Sequence, residues 1–279
     1  GGSRSRSPDT VVAEARLLAR AHPELVLTGV HIGHYGRDLA DPLPLSGLLA
    51  RLLDEVPGVR FRLGSIEATE VDDRLLELLA AGGDGLAPHL HMPLQSGADP
   101  VLRRMRRWHT REQYRRRALE IAAQMPILGL GADIITGFPG ETEEDHARTL
   151  ELVEELPFTY LHVFPFSPRD GTVAAELVRE MPVPQRVAGE RSRELRECVA
   201  LKGSRYREAR GGQEAVVVLE SGGNALTGDY LRVRIAEDGS SRSPQRGNDP
   251  NRLHTGRLRI EGHDLYIALT SVPDTLASS

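Results

Sequence analysis

Residues 132–142 read ADIITGFPGET. The run up to Ile135 is apolar, as in a buried parallel strand, and the glycines and proline after it predict a turn. Thr142, with Asp145 three residues later, predicts the N-terminus of a helix. A strand, a glycine turn and a helix N-terminus in this order can hold a polar ligand at the carboxyl end of a parallel strand.

The same unit recurs on both sides of this stretch. Apolar runs predict strands at 25–27, 59–66, 88–94, 128–135 and 158–164. Helical patterns of about 10–15 residues lie between these strands. They cover 45–56, 71–81 and 142–156, and further helices are predicted after the third strand, through Gln124. This alternation indicates βαβ units and a parallel sheet. The predicted fold class is therefore α/β, as a barrel or an open doubly wound sheet.

The start of the chain favours an incomplete barrel. A helix that opens at Ser7 and Pro8 precedes the first predicted strand. Since a parallel unit normally begins with a strand, we expect a (β/α)6-type barrel that lacks its first strand, over residues 1–182.

The residues after 182 follow another pattern. A long charged helix is predicted at 183–210, as a bridge to the last segment. From Glu214 onward the apolar residues recur with period two in short runs, which predicts a small all-β barrel at 211–271. Within it, 238–252 is predicted to be a polar loop, and 272–279 is predicted to be a tail.

The composition excludes several classes of site. Cys198 is the only cysteine in 279 residues, so the chain can form no internal disulfide and cannot alone supply the several thiolates of an iron–sulfur cluster or cysteine zinc site. A single thiol fits a reducing compartment, and we expect a cytoplasmic protein. The net charge of −5 gives the whole chain no electrostatic attraction to nucleic acid. No apolar run reaches the about 18 residues of a membrane span.

The carboxyl ends of the predicted strands meet at one edge, where parallel α/β folds bind ligands. The segments at these ends are 28–31, Ser65 with Glu67, 91–97, 135–141 and 164–169. Their hydroxyls, glycines, carboxylate, amide and histidines suit a ligand with amine, carboxylate, ribose and purine groups. A triphosphate fits less well, because the chain has no Walker-type glycine loop with lysine.

Two of these candidates have a structural alternative. Glu67 can bond a ribose diol or cap the next helix. His89 and His91 lie on one face of a strand, where they can hold a metal or be part of the structure.

An arginine-rich segment follows the third strand. Residues 103–117 hold eight arginines, with Trp108, His109 and Tyr114 between them. Basic side chains with stacking partners are typical of an RNA-binding surface, and the alternative is a solvated helix face.

Six motifs become specific when they are taken together and in order. They are LTGVHIG at 27–33, RLGSIE at 62–67, HLHMPLQSG at 89–97, RMRR at 104–107, DIITGFPGET at 133–142 and HVFPFSPRDGT at 162–172. Through them the chain resembles the radical S-adenosylmethionine methylthiotransferases from about residue 1 to 270. The segments TGVH at 28–31 and SIE at 65–67 resemble those of the branch that acts on N6-threonylcarbamoyladenosine in tRNA. The last segment resembles a TRAM domain, a small RNA-binding β-barrel.

The resemblance implies a reaction, its cofactors and its partners. The family adds a methylthio group to C2 of a modified adenosine next to the anticodon, so the partners are the anticodon stem-loop of tRNA and S-adenosylmethionine. In the family, a 4Fe–4S cluster on a Cys-x-x-x-Cys-x-x-Cys motif cleaves S-adenosylmethionine. A second cluster, in an N-terminal domain, takes part in sulfur supply.

The resemblance also implies roles for individual residues. Around S-adenosylmethionine they are Thr28, Gly29 and His31 at the methionine amino group, Ser65 and Glu67 at the ribose, Gln95, Ser96 and Arg107 at the carboxylate, and Ile135, Gly137 and Phe164 at the adenine. For RNA they are Arg103, Arg106 and Trp108 in the arginine-rich segment and Arg232 and Arg234 in the TRAM-like segment.

The chain departs from the family in one respect. It contains neither cluster motif, and the segment GGSRSR at 1–6 corresponds to the family sequence shortly after the radical-generating cysteines. We therefore expect the missing strand and the missing cysteines to be one truncation and the chain to be inactive alone. The alternatives are the isopentenyladenosine branch and a non-catalytic RNA-binding module. A barrel hydrolase or aldolase is disfavoured, because Lys202, the only lysine, lies outside the βα region.

Overall fold

The computed structural model describes residues 4–81, 83–236, 251–262 and 264–270. Its helices are α1 Pro8–Leu18, α2 Leu45–Glu55, α3 Asp73–Ala80, α4 Asp99–Arg104, α5 Arg111–Gln124, α6 Glu143–Glu155, α7 Val173–Glu180 and α8 Gln185–Arg210. Its strands are β1 Glu24–Leu27, β2 Arg60–Leu63, β3 His89–His91, β4 Gly129–Thr136, β5 Tyr160–Pro165, β6 Glu214–Glu220, β7 Asn224–Thr227, β8 Arg232–Ile235, β9 His254–Glu261 and β10 Asp264–Leu269.

The first five strands are parallel and follow one another in chain order. β1 pairs with β2, and β3, β4 and β5 form a second set. Two parallel bridges, Phe61 to Leu86 and Ser65 to His91, join the segment of β2 to the segment of β3. The predicted α/β fold with an incomplete parallel barrel is confirmed.

The two faces of β4 show how the sequence builds this barrel. Leu130, Ala132 and Ile134 are fully buried in the core between the strands and the helices. The alternate residues point to the other side, the lumen of the barrel, because successive side chains of a strand point to opposite faces. Gly131 is one of them, and a Cβ there would collide with the ring of Tyr160. A glycine at this position therefore makes room for a tyrosine inside the lumen.

The helix that opens after the central glycine turn begins as the sequence predicts. The Thr142 hydroxyl accepts a hydrogen bond from the Asp145 N–H at 3.1 Å, and the Asp145 carboxylate accepts one from the Thr142 N–H at 3.1 Å. This reciprocal capping places the start of α6 at the carboxyl end of β4.

The last part of the described chain is a closed barrel with the strand order β10-β8-β7-β6-β9. Its interior contains Val217, Val233, Leu258 and Ile267. The predicted small all-β barrel is thus confirmed. Most of the predicted loop at 238–252 and the whole of the predicted tail at 272–279 lie outside the described residues.

The small barrel contacts the amino ends of the parallel strands. The Arg60 and Arg62 guanidinium groups donate hydrogen bonds to backbone carbonyls of the small barrel, and Tyr230 stacks on His89. Two elements, α7 and β7, have no counterpart among the predicted ones. Within the described ranges, no helix is both long enough and apolar enough to span a membrane.

A groove at the strand ends and a polar barrel lumen

Two adjoining cavities lie at the carboxyl ends of β4 and β5 and share Ile135 and Ala174. One has a volume of about 270 Å³ and is lined by Gln95, Arg104, Met105, Arg106, Arg107, Ile135, Phe138, Val173 and Ala174. The other has a volume of about 450 Å³ and is lined by Ile135, Phe164, Pro165, Phe166, Ser167, Arg169, Thr172 and Ala174. Together they form one groove, of the size that small-molecule sites have.

The apolar wall of this groove comes from two neighbouring strands. Ile135 on β4 and Phe164 on β5 are register partners, so their side chains lie side by side. Phe164 is 52% exposed, which leaves its ring free to contact a ligand. The structure therefore brings together two of the three residues that the family resemblance assigns to the adenine.

Gly137, the third residue assigned to the adenine, lies elsewhere. It is buried with a φ of 72°, and its N–H donates to the Glu141 carboxylate at 2.6 Å. A Cβ at this position would collide with Ala188 of α8. The structure thus shows a glycine needed for the turn and for the close approach of α8.

The residues assigned to the carboxylate side have different environments. Gln95 lines the groove with a φ of 68°, a strained conformation for a residue other than glycine, of the kind that is found at binding sites. Its backbone bonds Asp133 and Ile135, so β4 holds it in place. Ser96 is fully buried, and its hydroxyl accepts from the Ala98 N–H at 3.2 Å.

Glu67 and Arg107 lie in contact. The Arg107 guanidinium is 3.2 Å from the Glu67 carboxylate, and Arg107 also lines the groove. Glu67 is also the N-cap residue of the short 3₁₀ helix Ala68–Glu70, whereas the cap of α3, the helix predicted at 71–81, is Asp72, whose carboxylate accepts from the Leu75 N–H at 2.6 Å. Burial raises the pKa of Glu67, against the lowering effect of Arg107.

The remaining residues assigned to S-adenosylmethionine form an exposed rim. Thr28, Gly29 and His31 are exposed after β1, and Ser65 is exposed after β2. The His31 ring stacks on His34 with 5.4 Å between centroids. These residues lie at the carboxyl ends of β1 and β2, on the same edge of the barrel as the groove.

Below the groove, the lumen holds a cluster of imidazole, carboxylate and phenol groups. Asp133 Oδ1 is 3.2 Å from His91 Nε2 and 3.3 Å from His162 Nδ1. The Tyr160 hydroxyl is hydrogen-bonded to His91 Nδ1 at 3.0 Å and to His89 Nε2 at 2.8 Å. Burial lowers the pKa of His89 well below its ordinary value, so this imidazole is neutral at pH 7.

The arginine-rich segment divides into two parts. On α5, Arg111, Arg115 and Arg117 form ion pairs with carboxylates of neighbouring helices. In the turn between α4 and α5, Trp108 is 95% exposed. Arg103 and Arg106, also exposed, form no ion pair within the described residues.

The two arginines assigned to RNA in the small barrel are exposed and paired. Arg232 binds the Glu220 carboxylate at 2.8 Å, and Arg234 lies 4.0 Å from the Asp264 carboxylate. RNA would have to displace these carboxylates to contact both guanidinium groups.

Sequence reasoning left several groove residues unassigned. Phe138 and Phe166 contact edge to face with 5.1 Å between centroids, and both occur in the quoted motifs. Helix α7 contributes Val173 and Ala174, and its start is marked by Thr172, whose hydroxyl accepts from the Ala175 N–H. This capping threonine followed by apolar residues was the available signal.

Several known proteins are similar to this chain in sequence. A profile of the Radical SAM superfamily matches residues 1–153. Threonylcarbamoyladenosine tRNA methylthiotransferase MtaB of Bacillus subtilis is 43% identical over 194 residues, which are 69% of this chain and 42% of the relative. The tRNA-2-methylthio-N(6)-dimethylallyladenosine synthase of Oceanobacillus iheyensis is 37% identical over 221 residues, which are 79% of this chain and 42% of the relative.

Among solved structures, coproporphyrinogen III oxidase (HemN) of Escherichia coli aligns with a TM-score of 0.48 and 20% identity, over 74% of this chain and 45% of that one. The chain spans less than half the length of the two curated relatives above. The profile nevertheless covers more than half of this sequence, and the motifs recur in the order that the resemblance requires. The chain therefore belongs to the radical SAM superfamily, and the relatives that it matches are its tRNA methylthiotransferases.

Proposed function

We propose that this chain is the S-adenosylmethionine-binding and RNA-binding part of a tRNA methylthiotransferase. Its substrate is N6-threonylcarbamoyladenosine next to the anticodon, in the anticodon stem-loop. The observation that carries the proposal is the groove at the carboxyl ends of β4 and β5, in a superfamily that uses S-adenosylmethionine.

The residues of the groove match the chemical groups of S-adenosylmethionine. Ile135 and Phe164 offer an apolar surface on which the adenine can stack. Arg107 offers a guanidinium to the methionine carboxylate, and Glu67 beside it offers a carboxylate to the ribose hydroxyls. The exposed loop after β1, with Thr28 and His31, completes the proposed site.

An iron–sulfur cluster does not match the residues present. Such a cluster needs several thiolates, and Cys198 is the only cysteine of the sequence. It lies on α8, half-buried, and burial raises the pKa of its thiol, which disfavours the thiolate that ligates iron. We therefore assign this chain the binding of substrate and S-adenosylmethionine, and no step that passes through a cluster.

The RNA surface lies next to the groove. Arg106 lines the groove, and the exposed Trp108 follows two residues later. Unpaired guanidinium groups bind phosphates, and an exposed indole stacks on an unpaired base. We place the anticodon loop here, with the small barrel as the second RNA contact through Arg232 and Arg234.

The motif sequences at 28–31 and 65–67 and the match to the B. subtilis relative support the threonylcarbamoyladenosine branch of the family. The alternative substrate is the isopentenyl-type adenosine of the O. iheyensis relative. The other alternative is a module that binds RNA without catalysis.

The test is binding of S-adenosylmethionine by equilibrium dialysis, with and without a stem-loop that carries threonylcarbamoyladenosine. Phe164→Ala should weaken binding of S-adenosylmethionine by about 5- to 150-fold, because stacking on an aromatic ring contributes roughly 1–3 kcal/mol per base. Leu201→Ala is the matched control, since Leu201 is an exposed apolar residue of α8 outside the groove. It should bind as the wild type does.

Two results would contradict the proposal. One is a wild-type chain that binds no S-adenosylmethionine, and the other is a Phe164→Ala variant that binds like Leu201→Ala. Tighter binding of a stem-loop with isopentenyladenosine would transfer the chain to the alternative branch. Binding of RNA without S-adenosylmethionine would support the non-catalytic module.

A further inference from the structure

The geometry points to a divalent metal site in the barrel lumen, which we propose is formed by His91, Asp133 and His162. These residues lie on three adjacent parallel strands, β3, β4 and β5. Each offers one ligand atom, and the three atoms lie within 4.8 Å of one another. Two imidazoles and one carboxylate are the ligand set of many zinc and non-haem iron sites.

The distances fit a shared ion as well as they fit hydrogen bonds from the two imidazoles to the carboxylate. Asp133 Oδ1 lies 3.2 Å from His91 Nε2 and 3.3 Å from His162 Nδ1. Ligand atoms about 2.0–2.1 Å from zinc in tetrahedral geometry are separated by about 3.3–3.4 Å. Two of the three separations between ligand atoms thus match a coordination sphere.

The strand register explains why these side chains converge. Asp133 and His162 are register partners in the pairing of β4 with β5, and His91 is the last residue of β3 on the other side of β4. His91 is level with Gly131, the lumen residue that precedes Asp133 on β4, so the three side chains enter the lumen at two adjoining levels. Side chains that point into the lumen from neighbouring strands are held by the sheet itself, with little freedom to separate.

Tyr160 supplies the hydrogen bond that a metal-bound histidine normally makes through its other ring nitrogen. Its hydroxyl is 3.0 Å from His91 Nδ1, the nitrogen that faces away from Asp133. With a metal on Nε2, the Nδ1–H of His91 donates to Tyr160, whose own proton goes to His89 Nε2 at 2.8 Å. Such contacts fix the ring orientation and the tautomer of a ligating histidine.

The site is open on one side. His91 is buried, Asp133 is half-buried, and the His162 side chain is 52% exposed. Three protein ligands leave at least one coordination position for water or for an oxygen of a bound molecule, as in sites that act on a ligand. Phe164, in the groove, is 6.3 Å from His162 between ring centroids, so this open position lies next to the groove.

The test is a titration of the full chain with Co²⁺, which reports its coordination by visible absorption. The chain is prepared without a histidine tag and is first treated with a chelator. We expect one equivalent of Co²⁺ to bind, with the absorption of a four- or five-coordinate ion, and Zn²⁺ to displace it. Asp133→Asn and His162→Ala should abolish this absorption, while His22→Ala, which removes an exposed histidine far along the chain from the three, should not.

Tyr160→Phe keeps all three ligands and removes only the hydroxyl, so it should weaken Co²⁺ binding by about 10- to 100-fold. Circular dichroism of each variant shows whether it is folded. No Co²⁺ uptake by the wild type, or equal uptake by Asp133→Asn and the wild type, would overturn the proposal and leave a hydrogen-bonded cluster. An intense near-ultraviolet charge-transfer band would also overturn it, since it would place the ion on Cys198.

Discussion

The two ends of the parallel strands differ in how their polar groups are used. At the amino ends, Arg60 and Arg62 are buried under the small barrel, donate to its backbone carbonyls and share the carboxylate of Glu24. At the carboxyl ends, the polar residues line an open groove, and Arg103 and Arg106 form no ion pair within the described residues. Buried polar groups that are satisfied within the chain stabilise it, whereas partly exposed groups around a cavity are available to a ligand.

Cavity size alone does not make this distinction. A larger cavity, of about 530 Å³, lies at the amino ends between Arg60, Leu79 and the small barrel. Its two buried arginines already have partners: Arg60 bonds Glu24, and Arg210 bonds Asp229 at 2.8 Å. We therefore expect the polar groups at the amino ends to stabilise the fold and those at the carboxyl ends to bind a ligand, and each expectation can be tested.

The largest effect is expected from Glu24→Ala. This carboxylate is the shared partner of Arg60 and Arg62, and its loss leaves two buried guanidinium groups without their ion-pair partner. Removing one partner of a buried ion pair costs about 3–5 kcal/mol, so the free energy of unfolding should fall by that amount. Urea denaturation followed by circular dichroism measures it.

Glu220→Ala is the matched control for this change. It also removes a carboxylate from an arginine, but Arg232 is exposed. Exposed ion pairs contribute little, because water and salt screen them. If the two substitutions cost the same, the amino ends do not have the structural role that we assign to them.

A smaller effect concerns the pH dependence of stability. Burial raises the pKa of Glu24, but the hydrogen bond from Arg62 and the charges of both arginines outweigh it, so the pKa lies below its ordinary value of 4.5. A carboxyl group with a lower pKa in the folded state stabilises the fold above its unfolded pKa. That contribution is lost as the pH falls through the folded pKa.

The free energy of unfolding of the wild type should therefore decline below about pH 4.5, and Glu24→Gln should show a shallower decline. Urea denaturation at a series of pH values from neutral to acid measures both slopes. Equal slopes would mean that Glu24 takes no part in the acid sensitivity of the fold.

Most of the fold could be predicted from the sequence because its signals are local. The strand predicted at 128–135 is Gly129–Thr136 in the structure, and the helix predicted at 142–156 is Glu143–Glu155. Apolar runs, glycine turns and capping residues mark these elements within a few residues. The strand Asn224–Thr227 was missed because four residues after a glycine pair are too short for a period to show.

The site was less predictable, because its geometry depends on residues far apart in the chain. Gly137 and Ser96 lie within the motifs, but the motifs do not show that they are buried. Gly137 packs against α8, and Ser96 packs against Thr149. The motifs also contain His91, Asp133 and His162, but their convergence depends on the register of three strands. Register follows from pairing between elements, which a single sequence does not contain.

The smallest effect on stability is expected from Glu67→Gln, at the carboxyl ends. Burial raises the pKa of this carboxyl group despite Arg107, so the sign is opposite to that of Glu24. A carboxyl group whose pKa is raised in the folded state lowers stability as the pH rises through the interval between its unfolded and folded pKa values. At pH 7 the ionised Glu67 thus costs stability, and a neutral glutamine removes that cost while keeping an oxygen for Arg107.

Glu67→Gln should therefore be no less stable than the wild type at pH 7, while it binds S-adenosylmethionine more weakly through the loss of a charged acceptor for the ribose hydroxyls. Urea denaturation and equilibrium dialysis on the same preparation measure the two quantities. A loss of stability as large as that of Glu24→Ala, with unchanged binding, would reverse the assignment of the two ends. Functional sites often contain carboxylates that ligand binding requires although they lower stability. Glu67 is expected to be such a carboxylate, and Glu24, which is expected to stabilise the fold, is the comparison for it.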